Sequence, residues 1–402
     1  MISVDEALKT VLDSVKGPLG SESVGIIESL GRVLAEDIHS GSDLPAFDYS
    51  AMDGFAVKHS DIKDASLASG IRLKIAGEFR AGGDTSSKVS KGEAVKIMTG
   101  APIPEGADAV VMVENTKEAG GFVEVFEQVE KGDNIRLAGE DIKKGDLVLE
   151  KGSLIGPAHI GMLASMGIAI VNVSKRPKVA ILTTGDEVLS IEEKLLPGKI
   201  RNSNAYSLFT QVIASYAMPV NKGVAKDNKM SLSEGLKSCL ECDIIVTSGG
   251  VSMGEYDYVK EVMNELGMDE KFWKVAMRPG KPNLFGTIAG KPFFGLPGNP
   301  VSTMIGFEVF VRPAIMKMLG RKGGERREVE ALLEEDVKTK KGLTFFVRAQ
   351  TRWEDGGYVT KTTGQQGSGM LSSMVKADSL IIVPEDVDTV KKGSRVKVRM
   401  LT

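Results

Sequence analysis

"KRPKVAILTTGDEV" occupies residues 175–188, and the texture of the chain changes on either side of it. Its "KVAILTT" core is an uninterrupted apolar run closed by a Gly-Asp-Glu turn, which predicts a strand buried on both faces. Downstream, strand and helix patterns alternate. "NAYSLFTQVIASY" puts Leu208, Val212 and Tyr216 on one helical face, and "DIIVTSGG" is a second buried strand. "YDYVKEVMNELG" reads as a helix stopped by Gly267. "FWKVAM", "LFGTI" and "PFFGL" are further strands, before a long helix over "PVSTMIGFEVFVRPAIMKMLG". This alternation predicts a doubly wound, three-layer α/β domain over 176–320, with helices on both faces of the sheet.

Upstream, "SVDEALKTVLDSVK" reads as a helix with a capping box at Ser3 and Glu6. "SVGIIESLGRVLAEDI" and "PAHIGMLASMG" read as two more helices. Between them, short β-rich pieces such as "IRLKIAGEF", "EAVKIMTG" and "DAVVMVEN" alternate with Gly, Pro and Asp turns. The expected layout is therefore a small helical or mixed N-terminal domain from 1–44 and 143–175, interrupted by an all-β domain over 45–142. After the charged linker "GRKGGERRE", residues 321–402 return to short strands and predict a small C-terminal β-barrel-like domain.

The 402 residues carry 51 Lys and Arg against 54 Asp and Glu, a net charge of −3, with no long basic run. That balance argues against a nucleic-acid surface. The longest apolar stretch, "IGMLASMGIAIVNV", is broken by Gly and Ser and is shorter than a membrane span. No charged leader followed by an apolar segment opens the sequence, so the expectation is a cytoplasmic protein with no membrane partner. The only cysteines, Cys239 and Cys242, form a C-x-x-C pair. A zinc site needs four ligands, and His39, His59 and His159 all lie far upstream. The favoured reading is that the two thiols pack at the end of an amphipathic segment.

In a doubly wound sheet, ligands bind at the carboxyl ends of the parallel strands. Four polar, Gly-rich turns are expected there: "TTGDEV" (183–188), "TSGGVSMGEYD" (247–257), "MRPGKP" (277–282) and "GLPGNPVS" (295–302). The last opens a helix, where free N–H groups favour anions. Lys274, Arg278 and Lys281 crowd around a single Pro-Gly turn, and three cations so close call for an anion among them. Neither G-x-x-x-x-G-K-[ST] nor a strand-borne G-x-G-x-x-G is present. "GVSMG" matches the G-x-S-x-G of a nucleophile elbow, but the hydrolase order needs a His after Ser252 and none follows His159. Ser252 is therefore read as a hydrogen-bonding group. Glu187, Asp227 and Asp257 fall at strand ends or helix starts on one side of the sheet. Hard oxygen ligands beside an anion suit Mg2+, while helix or turn capping remains an alternative for each acid taken alone. Spacing does not separate the acids that hold the metal from those that position substrate.

These turns resemble the molybdopterin molybdenumtransferase family, the MoeA-type proteins and the gephyrin E-domain. "SAMDGFAV" (50–57), "IMTGAPIPEGADAVV" (97–111), "NIRLAGEDIKKGD" (134–146) and "WKVAMRPGKP" (273–282) match that family's segments in its order, together with the four turns. "FFVRAQ" and "GQQGSGMLSSMVKADSLIIVP" resemble its C-terminal barrel less distinctively. The resemblance implies a Mg2+-dependent reaction in which adenylylated molybdopterin and molybdate give molybdenum cofactor and AMP. It implies catalytic roles for Asp53, Asp141, Glu187, Asp227 and Asp257, with Glu187, Asp227 and Asp257 as the metal ligands. It further implies substrate binding by Thr99, Arg136, Ser248, Gly249, Gly250, Ser252, Lys274, Arg278, Lys281, Pro297, Pro300, Ser302, Arg348 and Ser368. Arg278 stands where the family often carries Lys, which keeps the charge and changes the donor geometry. A homodimer is implied, with 1–44 and 143–175 as its dimerisation domain and the inserted β-domain completing the partner's cleft. A molybdopterin adenylyltransferase is implied as a partner protein. Two rival readings stand beside this one: an adenylyltransferase-like step, against which the flanking β-domains count, and a non-catalytic gephyrin-like scaffold, which would not need Asp257, Arg278 and Lys281 together.

Overall fold

The computed structural model describes residues 1–83, 86–250 and 256–401, with the backbone alone for 256–260. The chain divides into two compact units. One holds residues 1–36, 152–157 and 170–402, and the other 37–151 and 158–169.

The first unit opens with α1 (Val4–Ser14), where Ser3 Oγ accepts from the Glu6 N–H at 3.2 Å. Ala7, Val11 and Val15 bury its inner face in a core shared with Val179, Leu208 and Phe310. The second expected helix does not form. Ser21–Gly25 is a strand, β1, and the residues after it run through turns. The reason is local and tertiary together. Gly31 sits at φ +70, a left-handed conformation that ends helical winding, and the alternation Glu22-Ser23-Val24 is captured by an antiparallel partner further on.

The second unit contains a six-stranded sheet built from β2 (Gly54–Val57), β3 (Ile71–Phe79), β4 (Glu93–Ile97), β5 (Ala109–Met112), β6 (Thr116–Ala119) and β7 (Phe122–Val125). The strand order is β5-β2-β4-β3-β7-β6, mostly antiparallel, with β3 and β4 parallel. Phe55, Val57, Val111 and Val123 pack one face of this sheet and Ala56, Val95 and Val110 the other. Helix α2 (Pro157–Ser165) follows, and then β8 (Ile170–Ser174), the antiparallel partner of β1 with Val24 opposite Val171.

The central sheet of the first unit is built around β9 (Lys178–Thr184), the quoted run, buried from Val179 to Thr184. With it are α3 (Ser203–Ala214), β10 (Met218–Ala225), α4 (Lys229–Cys239), β11 (Ile244–Ser248), α5 (Tyr256–Glu265) and β12 (Asp269–Phe272). A two-residue strand, β13 (Met277–Arg278), precedes the hairpin of β14 (Leu284–Ile288) and β15 (Lys291–Leu296). The order is β10-β9-β11-β15-β14-β12. The first four strands are parallel; β14 is antiparallel to both of its neighbours, so β12 points the same way as the first four. β13 is not part of this sheet. The long final helix is continuous from α6 (Pro300–Gly306) to α7 (Arg312–Leu319), with a π-helical stretch at Phe307–Val311. That widened turn precedes Pro313, whose ring cannot donate to the ladder.

In the C-terminal region, β16 (Glu328–Leu333), β17 (Thr344–Glu354), β18 (Gly357–Thr362), α8 (Leu371–Lys376), β19 (Ser379–Val383) and β20 (Arg395–Met400) follow. The sheet runs β17-β18-β16-β20-β19, and a further pairing of β19 with β17 closes it into a five-stranded barrel. β13 joins this barrel by pairing parallel to β17, with Arg278 opposite Phe345.

Candidate active site

Thr184, Ala225, Ser248 and Leu296 end the four parallel strands at one edge of the sheet. Because β14 is antiparallel, its start also lies there: Leu284 is opposite Gly295. The "MRPGKP" turn therefore reaches this edge as the entry to an antiparallel strand, not as the exit of a parallel one. A cavity of about 390 Å3 opens at the edge, and Gly185, Glu187, Ser248, Gly249, Gly250, Pro282, Pro297 and Pro300 line it.

Its floor is tied together by buried polar groups. The Asn204 side-chain N–H donates to Ser248 Oγ and to the Gly298 carbonyl, both at 2.8 Å. Gly249 N–H donates to the Leu296 carbonyl at 3.1 Å. Gly249 adopts φ +94, and a Cβ there would come within 2.6 Å of the Thr184 carbonyl, so the sharp turn after β11 needs glycine.

Glu187 lines the cavity, and Asp186 and Asp227 are bound to each other beside it. Asp186 N–H donates to Asp227 Oδ2 at 3.1 Å, and Asp227 N–H to Asp186 Oδ1 at 3.2 Å. Burial pushes the Asp227 carboxyl up, and the nearby Asp186 and Glu187 charges push it further. Carboxylates held this close repel unless a cation lies among them. Among the described residues no group of three or more His, Cys, Asp or Glu has a metal-holding arrangement. Mg2+ asks less of the protein: one or two carboxylates suffice when water and substrate phosphate complete the octahedron. The Glu187 and Asp227 oxygens fit that demand. Ser252 lies outside the described residues, and of Asp257 only the helical backbone in α5 is described.

The cations gather in a second cavity, of about 460 Å3, lined by Arg278, Pro279, Phe345, Arg348, Gln366 and Gly367 among others. Arg348 is 1% exposed. Its Nε donates to Ser373 Oγ and one terminal nitrogen to the Gly367 carbonyl, both at 3.1 Å. Its backbone is clamped by Gln366, which accepts from the Arg348 N–H at 2.9 Å and donates to the Arg348 carbonyl at 3.1 Å. Among the described residues no carboxylate pairs with it, and burial alone lowers its pKa to about 10. A buried cation without a counter-charge costs several kcal/mol, which an anion in the cavity would offset.

The two cavities share a frame. Arg278 and Pro279 line the second and Pro282 the first, all from one turn. The Ser368 carbonyl accepts from the Val301 N–H at 3.1 Å, binding the Gln366–Ser368 loop to the turn that opens α6. That N–H is thus already used. Ser302 is buried beneath the turn. Lys281 is exposed, and Lys274 lies 4.0 Å above the Trp273 ring.

In the second unit, Asp53 Oδ1 accepts from both the N–H and the Oγ1 of Thr99, at 2.7 and 2.8 Å, and these bonds hold its carboxyl below the usual range. Arg136 pairs with Glu140 at 2.9 Å, and Asp141 N–H donates to the Leu44 carbonyl. Spacing alone did not single out Thr184, Asn204, Gln366 or Ser373. The one available signal was the "NSN" stretch at 202–204, polar residues opening an otherwise apolar helix. Cys239 and Cys242 are both buried in the core between α4 and the sheet, and burial pushes the Cys239 thiol up to about 11.

A glycine-floored cavity at the strand edge with Glu187 in its lining, beside a cavity holding a buried arginine without a counter-charge, has the groups an enzyme needs to hold an anion. The chain belongs to the molybdopterin molybdenumtransferase (MoeA) family, transferases of molybdenum cofactor biosynthesis. Residues 2–167 match the MoeA N-terminal region (domain I and II), 180–317 the probable molybdopterin binding domain and 330–401 the MoeA C-terminal region (domain IV). The chain is 37% identical to the molybdopterin molybdenumtransferase of Bacillus subtilis, over all of this chain and 94% of that protein. It is 35% identical to that of Haemophilus influenzae, over 99% and 98%. The crystal structure of the molybdopterin biosynthesis MoeA protein from Pyrococcus horikoshii OT3 superposes with a TM-score of 0.86 at 34% identity, covering both chains completely. Among the described residues no helix is long and apolar enough to cross a membrane.

Proposed function

We propose that this protein inserts molybdate into adenylylated molybdopterin, with Mg2+ bound and with release of AMP. The observation that carries the reading is the pairing of two adjoining sites. Glu187 lines one cavity, with Asp186 next to it in sequence and Asp227 hydrogen-bonded to Asp186, and Arg278 and Arg348 line its neighbour together with Lys338, Lys340, Glu335 and Asp336. A phosphoanhydride and a tetrahedral dianion are both anionic: carboxylates meet the first through a bound cation, and arginines meet the second directly.

In this reading Arg348 and Arg278 hold molybdate, with Lys281, Lys274, Ser302 and the Ser368 loop around it. The backbone of Ser248, Gly249 and Gly250 and the Pro297–Pro300 turn seat the substrate against the sheet edge. Glu187, Asp227 and Asp257 hold Mg2+, which supplies charge neutralisation at the phosphates when bound. Fixed donors of this kind lower a barrier because they need no reorganisation as charge develops. Asp53, Thr99, Arg136 and Asp141 belong to the same reaction and are supplied by a second copy of the chain, making the working form a homodimer. The four-domain division at 1–44 with 143–175, 45–142, 176–320 and 321–402, a cytoplasmic location and hand-over from a molybdopterin adenylyltransferase are parts of the same proposal.

The test mixes the protein with adenylylated molybdopterin and Mg2+ and follows AMP with and without molybdate. Molybdate-stimulated release that is lost in Asp257→Ala supports the reading. Binding of the nucleotide without any release contradicts it.

A further inference from the structure

The "MRPGKP" turn is held differently at its base and at its tip. At the base, backbone bonds grip it from both sides: Ala276 N–H donates to the Ile2 carbonyl at 2.7 Å, and Thr344 N–H to the Ala276 carbonyl at 2.8 Å. Across the turn, Val275 N–H donates to the Lys281 carbonyl at 3.0 Å. At the tip, Gly280 sits at φ +96, and no backbone N–H among the described residues bonds its carbonyl. The donor there is a side chain. Asn283 is 2% exposed, and its amide nitrogen donates to the Gly280 carbonyl, with Met277 Sδ 3.4 Å from the same nitrogen. A carbonyl only accepts, so the amide nitrogen must face it and the amide oxygen must point elsewhere. That oxygen lies against α6, where a Cβ on Gly306 would come within 2.8 Å of it. It has no hydrogen-bond partner among the described residues. A buried acceptor without a donor costs stability, so as a filler for this space the amide is a poor choice. What it supplies is a fixed tip for a turn that brings Arg278 and Pro279 to one cavity and Pro282 to the other.

We propose that Asn283 is a positioning residue for anion binding: by holding the Gly280 carbonyl it fixes the turn, and through the turn it places Arg278. The inference rests on the proposed function in taking molybdate as the anion of the Arg278–Arg348 cavity. A cation set in place before the ligand arrives loses less freedom on binding than one carried by a loose turn.

The test is a double-mutant cycle read by calorimetry with molybdate. Asn283→Ala and Asn283→Val are each made in the wild type and in Arg278→Ala, which keeps Arg348 to bind the anion. Both changes delete the donor together with the unpartnered oxygen, and Val refills part of the space, so melting temperatures are expected to stay close to the wild type. In the wild-type background each is expected to weaken molybdate binding about five- to tenfold. In the Arg278→Ala background each is expected to change it less than twofold, because the residue Asn283 acts through is gone. A loss of general packing would instead lower affinity equally in both backgrounds. That result, or unchanged affinity in the wild-type background, overturns the positioning role and leaves the proposed function standing. If the wild type itself does not bind molybdate, the proposed function falls and this inference falls with it.

Discussion

Arg278 and Phe345 are opposite one another in the short parallel pairing of β13 with β17, and the Arg278 guanidinium lies 5.8 Å from the Phe345 ring centroid. Three residues further along β17 stands the buried Arg348. One arginine comes from the turn at the edge of the α/β sheet and the other from the barrel, and a two-residue strand puts them in one cavity.

Arg348→Met is expected to leave the protein as stable as the wild type or more so, because it removes a buried charge without a counter-ion. The same change should lower molybdate-dependent AMP release by roughly a hundredfold or more. Thermal unfolding and a rate assay on one preparation check both halves.

Ser373→Ala removes the acceptor at Arg348 Nε while keeping the cation. The expected result is a KM for molybdate raised several-fold with kcat largely kept, and recovery in Ser373→Thr. A fall in kcat alone would contradict the positioning role.

Asp227→Asn and Glu187→Gln are each expected to raise the Mg2+ concentration giving half-maximal rate by about ten- to a hundredfold. That is the scale on which neighbouring carboxylates tune metal affinity. A Mg2+ titration of the rate reads this directly, and an unshifted titration would remove both residues from the metal site.

The Asp53 carboxyl is held below the usual range first by the Thr99 N–H and then by its hydroxyl. A carboxylate with a depressed folded pKa adds stability above its unfolded value and loses it as the pH falls through the folded value. Thr99→Val removes the hydroxyl and keeps the N–H, so the Asp53 titration midpoint is expected to rise part of the way towards the ordinary range. Carbon-detected NMR of the carboxyl follows it.

Gly54, next in sequence to Asp53, has no room for a side chain: a Cβ would lie 1.9 Å from the Val111 carbonyl oxygen. Gly54→Ala is expected to destabilise the inserted sheet by about 2–4 kcal/mol, since backbone on both strands must move. Thermal unfolding reads the loss.

Much of the fold was legible because local and tertiary preferences agree there. "KVAILTT" and "DIIVTSGG" are too short and too apolar for anything except buried strands, and both became central strands. The glycine turns that follow them could be placed at one sheet edge from alternation alone. "SVGIIESLGRVLAEDI" misled because its apolar spacing fits a helix, while the pairing that makes Ser21–Gly25 a strand lies almost 150 residues away at β8. The anion pocket was legible only as separate motifs. Nothing in "VAMRPG" indicates that Met277–Arg278 leaves the central sheet to pair with Thr344–Phe345. Only the polar "NSN" opening of an otherwise apolar helix hinted at Asn204, whose bonds to Ser248 and Gly298 become visible once the surroundings are built.

The most direct measurement counts products together: AMP released and molybdenum bound to the pterin in one reaction containing protein, Mg2+, adenylylated molybdopterin and molybdate. The account predicts one AMP for each molybdenum inserted, with both products absent in Arg348→Met. AMP release that proceeds equally without molybdate, or molybdenum insertion with the adenylyl group still attached, would contradict it.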